Sequence, residues 1–179
     1  MLARHRLRDG REVVLREAAE SDAAALLENI NLVGAEHVYI LTERVPNDLD
    51  TEREWVRGFD GAHSVLYVAE AAGKIVGQAD AHRGGVPKNH HTATLGIAIR
   101  EGWRDSGLGT LLMKAILDWM RERGVEKACL EVFSSNDRAL ALYRKLGFQE
   151  EGRRRGQFRV RGEYVDDVIM AKWLTKAPR

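Results

Sequence analysis

Residues Gly102 to Leu117 read GWRDSGLGTLLMKAIL, three glycines and an arginine running into a strongly apolar segment. Such a stretch can hold a phosphate, because glycine lets the backbone approach an anion and a helix start offers unpaired N–H groups with partial positive charge. Two phosphate loops can be excluded. In GxxxxGK[ST] the residues after Gly107 would be Lys and Ser/Thr, but Leu108 and Gly109 stand there, so nothing reaches a terminal phosphate or magnesium. The dinucleotide fingerprint GxGxxG fails because Leu112 takes the third glycine position. What survives is a diphosphate held by main-chain donors over Arg104 to Gly109, supported by Arg104. The alternative is a tight strand-to-helix turn that uses glycine for close packing.

Glu131 is the next residue with chemistry. It sits inside the apolar run ACLEVF, and an ionised carboxylate is rarely placed among apolar residues without a partner or a purpose. It reads as a general base or as a solvated, salt-bridged strand residue. Asp80, Glu36 and Glu43 rank below it as bases. Tyr143 shares a helical face with Ala139, Leu140 and Leu146, so from spacing alone it reads as packing, with its hydroxyl at a boundary. Asn136 precedes a helix and reads as its cap. His82, His90 and His91 lie near each other, yet without ligand spacing they read as surface residues, His91 being a minor catalytic option and no metal being expected. Cys129 reads as a core residue.

The elements that must position these groups follow from periodicity. REVVLREA is a strand, and ESDAAALLENI a helix capped by Ser21 or Asp22. Residues 31–50 are irregular, and DTEREWVRGF is a short helix capped by Asp50 or Thr51. Two strands flank Ala72-Gly73, and HTATLGIAI is a further strand. Leu108, Leu111, Leu112, Ala115, Ile116, Trp119 and Met120 recur at helical spacing, with Gly124 as the stop. KACLEVF is a strand, DRALALYRKL a helix ended by Gly147, and FQEEGRRR and EYVDDVIMAKWL are two closing strands around an arginine-rich connection. The order β-α-α-β-β-β-α-β-α-β-β predicts an α/β domain with a mixed, largely antiparallel sheet.

Composition narrows the function classes. The 179 residues carry 28 basic and 27 acidic side chains, so no global field draws the molecule to nucleic acid or membrane. Five arginines between Arg153 and Arg161 form a local patch, read first as solvated and otherwise as an anion- or partner-attracting surface. An RNA-binding module has only that patch behind it, without aromatic nucleic-acid motifs. A single cysteine excludes an internal disulfide and suits the cytoplasm. MLARHRLRDG lacks a signal-peptide core, and no apolar run reaches bilayer length.

RDSGLG resembles the Arg/Gln-x-x-Gly-x-Gly/Ala signature of the GCN5-related N-acetyltransferase (GNAT) superfamily through Arg104, Gly107 and Gly109. NDRALALYRKLGF resembles a second segment of the same superfamily through Asn136, Ala139, Leu142, Tyr143, Gly147 and Phe148. Together the two motifs are far more specific than either alone, and the resemblance spans about residues 10–174. LEVFSSN…ALYRKLGF is similar to ribosomal-protein N-terminal acetyltransferases, whose matching glutamate is the base and whose tyrosine, twelve positions on, is the acid; Glu131 and Tyr143 keep that interval. EEGRRRGQFRVRGEYVDDVIM resembles acetyltransferases of small amines and amino-acid analogues, in which this region helps form substrate and dimer surfaces.

The resemblance implies one catalytic domain over 1–179, its central sheet flanked by helices and splayed in a V between the fourth and fifth strands. It implies acetyl-CoA as cosubstrate, held by Arg104, Asp105, Ser106, Gly107, Leu108, Gly109 and Thr110 at the pyrophosphate. Ile97, Ala98, Ile99 and Asn136 would hold the pantetheine arm, with a strand N–H for the oxyanion and Tyr143 beside the sulfur. The acceptor would be a primary amine of a small molecule, an amino acid or a protein N-terminus, attacked directly in a ternary complex; a homodimer is common in such enzymes. A non-catalytic acyl-CoA sensor is the alternative. An alkylammonium near pKa ~10.4 costs roughly 4–5 kcal/mol to deprotonate at neutral pH, which is what a base would supply. The chain departs from many relatives at Thr94, where an acid is common, and at Asp105 and Ser106, where glycine and a basic residue are frequent.

Overall fold

Residues 3–176 are described by the computed structural model. The strand Ser64–Ala71 (β3) sets the architecture, because its run SVLYVAEA is buried along almost its whole length. Val65, Tyr67 and Ala69 face one layer of helices and Leu66 and Val68 the other, so the sheet must be covered on both sides.

Before β3 come β1 (Ala3–Arg6), β2 (Glu12–Glu17), α1 (Ala23–Gly34) and α2 (Leu49–Arg57). After it follow β4 (Lys74–Arg83), β5 (Thr92–Ile99), α3 (Leu108–Glu122), β6 (Lys127–Phe133), α4 (Asp137–Lys145), β7 (Gln149–Val160) and β8 (Glu163–Trp173). The eight strands form one sheet in the order β1-β2-β3-β4-β5-β6-β8-β7. All neighbours are antiparallel except β5 and β6. Leu108, Leu112, Met113, Ile116 and Met120 of α3 are fully buried against one face. Ala23 and Leu26 of α1 and Val56 of α2 cover the other, against Leu66, Val68 and Ile75.

The predicted mixed sheet is present, with an unforeseen strand at its start. ARHR of β1 pairs with β2 because Leu7, buried at the turn, anchors a hairpin too short for a periodic signal. The splay expected between the fourth and fifth strands therefore lies between the fifth and sixth. There β5 and β6 pair only at Thr92–Lys127, Ala93–Ala128 and Thr94–Cys129, then part, while β6 stays paired to β8 as far as Phe133–Asp167.

Several boundaries move. Asp22 is the N-cap residue of α1, but its carboxylate accepts from the Ala19 N–H and holds Arg16 instead of capping. Asp48, not Asp50 or Thr51, caps α2 by accepting from the Thr51 N–H. The arginine-rich segment is strand, not connection: β7 runs to Val160, and Arg161-Gly162 makes the turn. Cys129 is half-buried, since β6 turns it to the face opposite Ala128 and Leu130. The expected domain 1–179 includes residues 1–2 and 177–179, which lie outside the described ones. Among the described residues no helix is long and apolar enough to cross a membrane.

Candidate active site

The parting of β5 from β6 opens the sheet, and a cavity of about 850 Å³ fills the gap. Ladder loss beyond Thr94 leaves the main-chain groups of β5 on that side without a strand partner, and Leu95 to Ile99 line the cavity. Glu131, Val132 and Phe133 of β6 form the facing wall. α4 supplies Leu142 and Tyr143, and Tyr39, Ile40 and Leu41 come from the segment after α1.

The glycine loop reaches the cavity through two different properties of glycine. Gly107 caps α3 with φ +96°, a left-handed conformation that side chains resist. Gly109 allows close packing, since a Cβ there would stand 3.0 Å from Leu142 Cδ2 and 3.4 Å from Ile99 Cδ1. A helix beginning at Leu108 leaves its first N–H groups without intrahelical acceptors. The β1–β2 turn braces this loop: the Arg8 N–H donates to Ser106 O (2.9 Å), Arg11 Nη2 donates to Gly102 O (2.8 Å), and the Arg11 guanidinium lies over Trp103.

Of the residues picked from the sequence, Ile97, Ala98, Ile99, Arg104, Asp105, Gly107, Gly109, Thr110, Glu131, Asn136 and Tyr143 all line the cavity. Ser106 and Leu108 do not. Ser106 is buried, its hydroxyl donating to Trp103 O at 2.6 Å, and Leu108 is in the core, so either could contribute only main chain. Arg104 is already engaged: Nε donates to Ile99 O (2.9 Å), Nη1 and Nη2 grip the Glu36 carboxylate, and the guanidinium lies over Tyr39. Other cations stand near the loop. Arg8 carries its side chain to Gly107, and Arg138 pairs with Asp105 at 3.3 Å. Asp105 adopts φ +61° and turns its carboxylate outward to that arginine. Asn136 accepts from the Ala139 N–H at 3.1 Å, capping α4 from the cavity wall.

Tyr143 is 5% exposed, and burial pushes its phenol well above the ordinary range. Glu131 is half-exposed and accepts from Arg154 Nη1 at 3.1 Å. The same nitrogen donates to Asp167 at 2.6 Å, and Asp167, 1% exposed, also lines the cavity. Burial, and then the facing Glu131, pushes the Asp167 carboxyl up.

Asp167 was not among the expected site residues, although an acid at a buried position in an apolar strand was the signal that picked out Glu131. Its neighbour Asp166 hid it, since one of the two acids in EYVDDVIM had to face outward. Arg8 carries no sequence signal, because its approach to Gly107 is made by the fold. Asp80, Glu36, Glu43 and His91 are absent from the cavity wall. Asp80 pairs with His82, Glu36 with Arg104, Glu43 with His37, and His91 stacks on Trp173.

Comparison with known proteins gives concordant results. The model of the "Acetyltransferase (GNAT) family" matches residues 32–148. The L-amino acid N-acetyltransferase of Escherichia coli is 30% identical over 166 residues, covering 90% of this chain and 98% of that protein. The solved ribosomal-protein-alanine N-acetyltransferase from Brucella melitensis superposes with a TM-score of 0.80 at 27% identity, covering 89% of this chain and 99% of that one. A phosphinothricin acetyltransferase from Sinorhizobium meliloti, solved in complex with acetyl-CoA, gives 0.82 at 19% identity over 92% and 89% of the two chains.

Proposed function

We infer the reaction from one premise: this chain belongs to the acetyltransferase (GNAT) family and is an acyltransferase. We propose that, as one catalytic domain, it transfers the acetyl group of acetyl-CoA to a primary amine by direct attack within a ternary complex. The observation that carries the reading is convergence. The α3 loop, the unpaired run of β5, Glu131 and Tyr143 come from four separate segments and border one cavity.

The residues present fit acetyl-CoA. The amides at the start of α3 suit its pyrophosphate, with Arg8 and Arg138 as nearby cations. The apolar wall of Ile97, Ala98 and Leu142 suits the pantetheine arm. When bound, acetyl-CoA supplies an activated thioester. A β5 N–H freed by the splay would stabilise the oxyanion. Glu131, directly or through water, would take the proton of the attacking amine, and Tyr143 would donate one to the departing thiolate. The buried phenol holds its proton until one is required. Arg104, held by Glu36 beneath Tyr39, would organise the cavity edge without touching phosphate. The same reading puts the chain in a reducing cytoplasm, where Cys129 stays a thiol.

Two measurements test this. Saturating acetyl-CoA should raise the unfolding midpoint, stabilisation at a hundredfold excess over Kd being about 2.7 kcal/mol. An unchanged midpoint removes the reading. With a panel of amines, free thiol should appear in step with acetylated amine. Stabilisation without turnover on any amine would leave an acyl-CoA sensor.

A further inference from the structure

We propose that Asp167 sets acceptor specificity: by occupying Arg154 beside Glu131, it favours an ammonium on an apolar body over an amine bearing its own carboxylate. This rests on the acetyl-transfer reading of the cavity and separates two acceptor kinds that the reading leaves together.

We take the part of the cavity bordered by Glu131, Phe133, Phe158 and Asp167 as its acceptor end; Tyr39, Ile40 and Leu41 line the same cavity, Tyr39 beside Arg104. Its aromatic wall is tightly built, with Phe133 and Phe158 rings 5.1 Å apart. On the strand side, Arg154 Nη1 serves both Glu131 (3.1 Å) and Asp167 (2.6 Å), so two carboxylates share one guanidinium. On the loop side, Arg104 is held by Glu36. Each of these two guanidinium groups already has a carboxylate. An incoming carboxylate at Arg154 would compete for a guanidinium that two carboxylates already share, weakening the pairing of Asp167, which is 1% exposed. An ammonium meets the opposite situation, since two carboxyl groups, Glu131 and Asp167, gather on the single guanidinium of Arg154. Like charges brought together at a recognition site cost several kcal/mol, so the discrimination should exceed tenfold. The raised Asp167 carboxyl agrees with two acids competing for one cation. Asp166, the adjacent acid, has a separate task, accepting from the Gly156 N–H (2.8 Å) and from Arg153 (3.2 Å).

2-Phenylethylamine and L-phenylalanine share an aromatic body and differ by the carboxylate, which makes them the probes. Calorimetric titration of the CoA-saturated protein should show the amine binding at least about tenfold tighter. Asp167→Asn should reduce that ratio to below about threefold, chiefly through better binding of phenylalanine as Arg154 becomes available. Glu131→Gln provides an independent reduction of the same ratio should the Asp167 variant not fold. Equal or tighter binding of phenylalanine to the wild type overturns the proposal, as does an unchanged ratio in a folded variant. A peptide amide with N-terminal phenylalanine separates the sources. A kcat/KM above that of 2-phenylethylamine identifies a protein N-terminus and a lower one a small amine; in either case a value above that of L-phenylalanine supports the carboxylate rule and one below it overturns it. If the binding order holds while no amine releases thiol, acetyl transfer fails and the specificity stands. If phenylalanine is the better substrate, the specificity alone fails.

Discussion

Gly34, the last residue of α1, packs against the main chain of Glu43: a Cβ built on Gly34 would stand 2.5 Å from the Glu43 carbonyl oxygen. The Thr42 carbonyl lies closer still. The close approach fixes one end of the segment that carries Tyr39, Ile40 and Leu41 to the cavity. Gly34→Ala should therefore cost about 1–3 kcal/mol, because the obstruction is backbone and cannot rotate away. The melting point should fall by about 2–4 °C per kcal/mol. KM for the amine should rise more than KM for acetyl-CoA, and an equal rise in both would detach this segment from acceptor binding.

Tyr143→Phe should lower kcat by about 10²-fold, the lower bound for general acid–base catalysis, while acetyl-CoA affinity stays near that of wild type. Burial holds the phenol protonated well beyond its usual range. A proton donor with a raised pKa is lost only as pH climbs above it, so the wild-type kcat profile should show no alkaline decline from Tyr143 up to about pH 10. A variant as fast as wild type would leave the ring with packing alone, where it touches Phe148 at 5.9 Å between centroids.

Asn136→Ala removes the acceptor of the Ala139 N–H and should cost about 1 kcal/mol, the usual value of an N-cap. Asn136→Asp keeps the cap. If Asn136 also contacts acetyl-CoA, the aspartate variant will recover stability but not acetyl-CoA affinity. Recovery of both would make it a cap only.

His82 lies 3.3 Å from Asp80, and that hydrogen bond, opposed by burial, raises its pKa. A raised histidine contributes stability that is complete below the unfolded value near ~6.5 and is lost as pH rises through the folded one. Asp80→Asn should thus lower the melting point more at pH 6 than at pH 9. With His82 half-exposed, solvent screening keeps the effect below about 1 kcal/mol. An equal loss at both pH values would assign the effect to packing.

Much of the fold was legible because its signals are local. Leu108 to Met120 advertise a buried helix face, and Ala72-Gly73 turns as expected with φ +47° and +75°. Asn136 caps as its position suggested. β1 was not legible, since a four-residue strand has no period to read and depends on its partner. The arginine-rich segment misled for a related reason. Edge strands carry charge on both faces, so β7 resembles a loop until its pairing with β8 is known.

The sequence by itself determined the family, the order of helices and strands after β1, and, Ser106 and Leu108 apart, which side chains near the α3 loop and α4 border a common cavity. Motif spacing suffices for that, because each motif lies within one strand–helix unit. Only the tertiary structure decided how charges are matched. It assigned Arg104 to Glu36, turned Asp105 out to Arg138, brought Arg8 to Gly107, and placed Asp167 across from Glu131 on a shared arginine. These partners lie on different elements, and a charge in a low-dielectric cavity is governed by whichever group the fold brings within a few ångströms. Sequence distance carries no record of that.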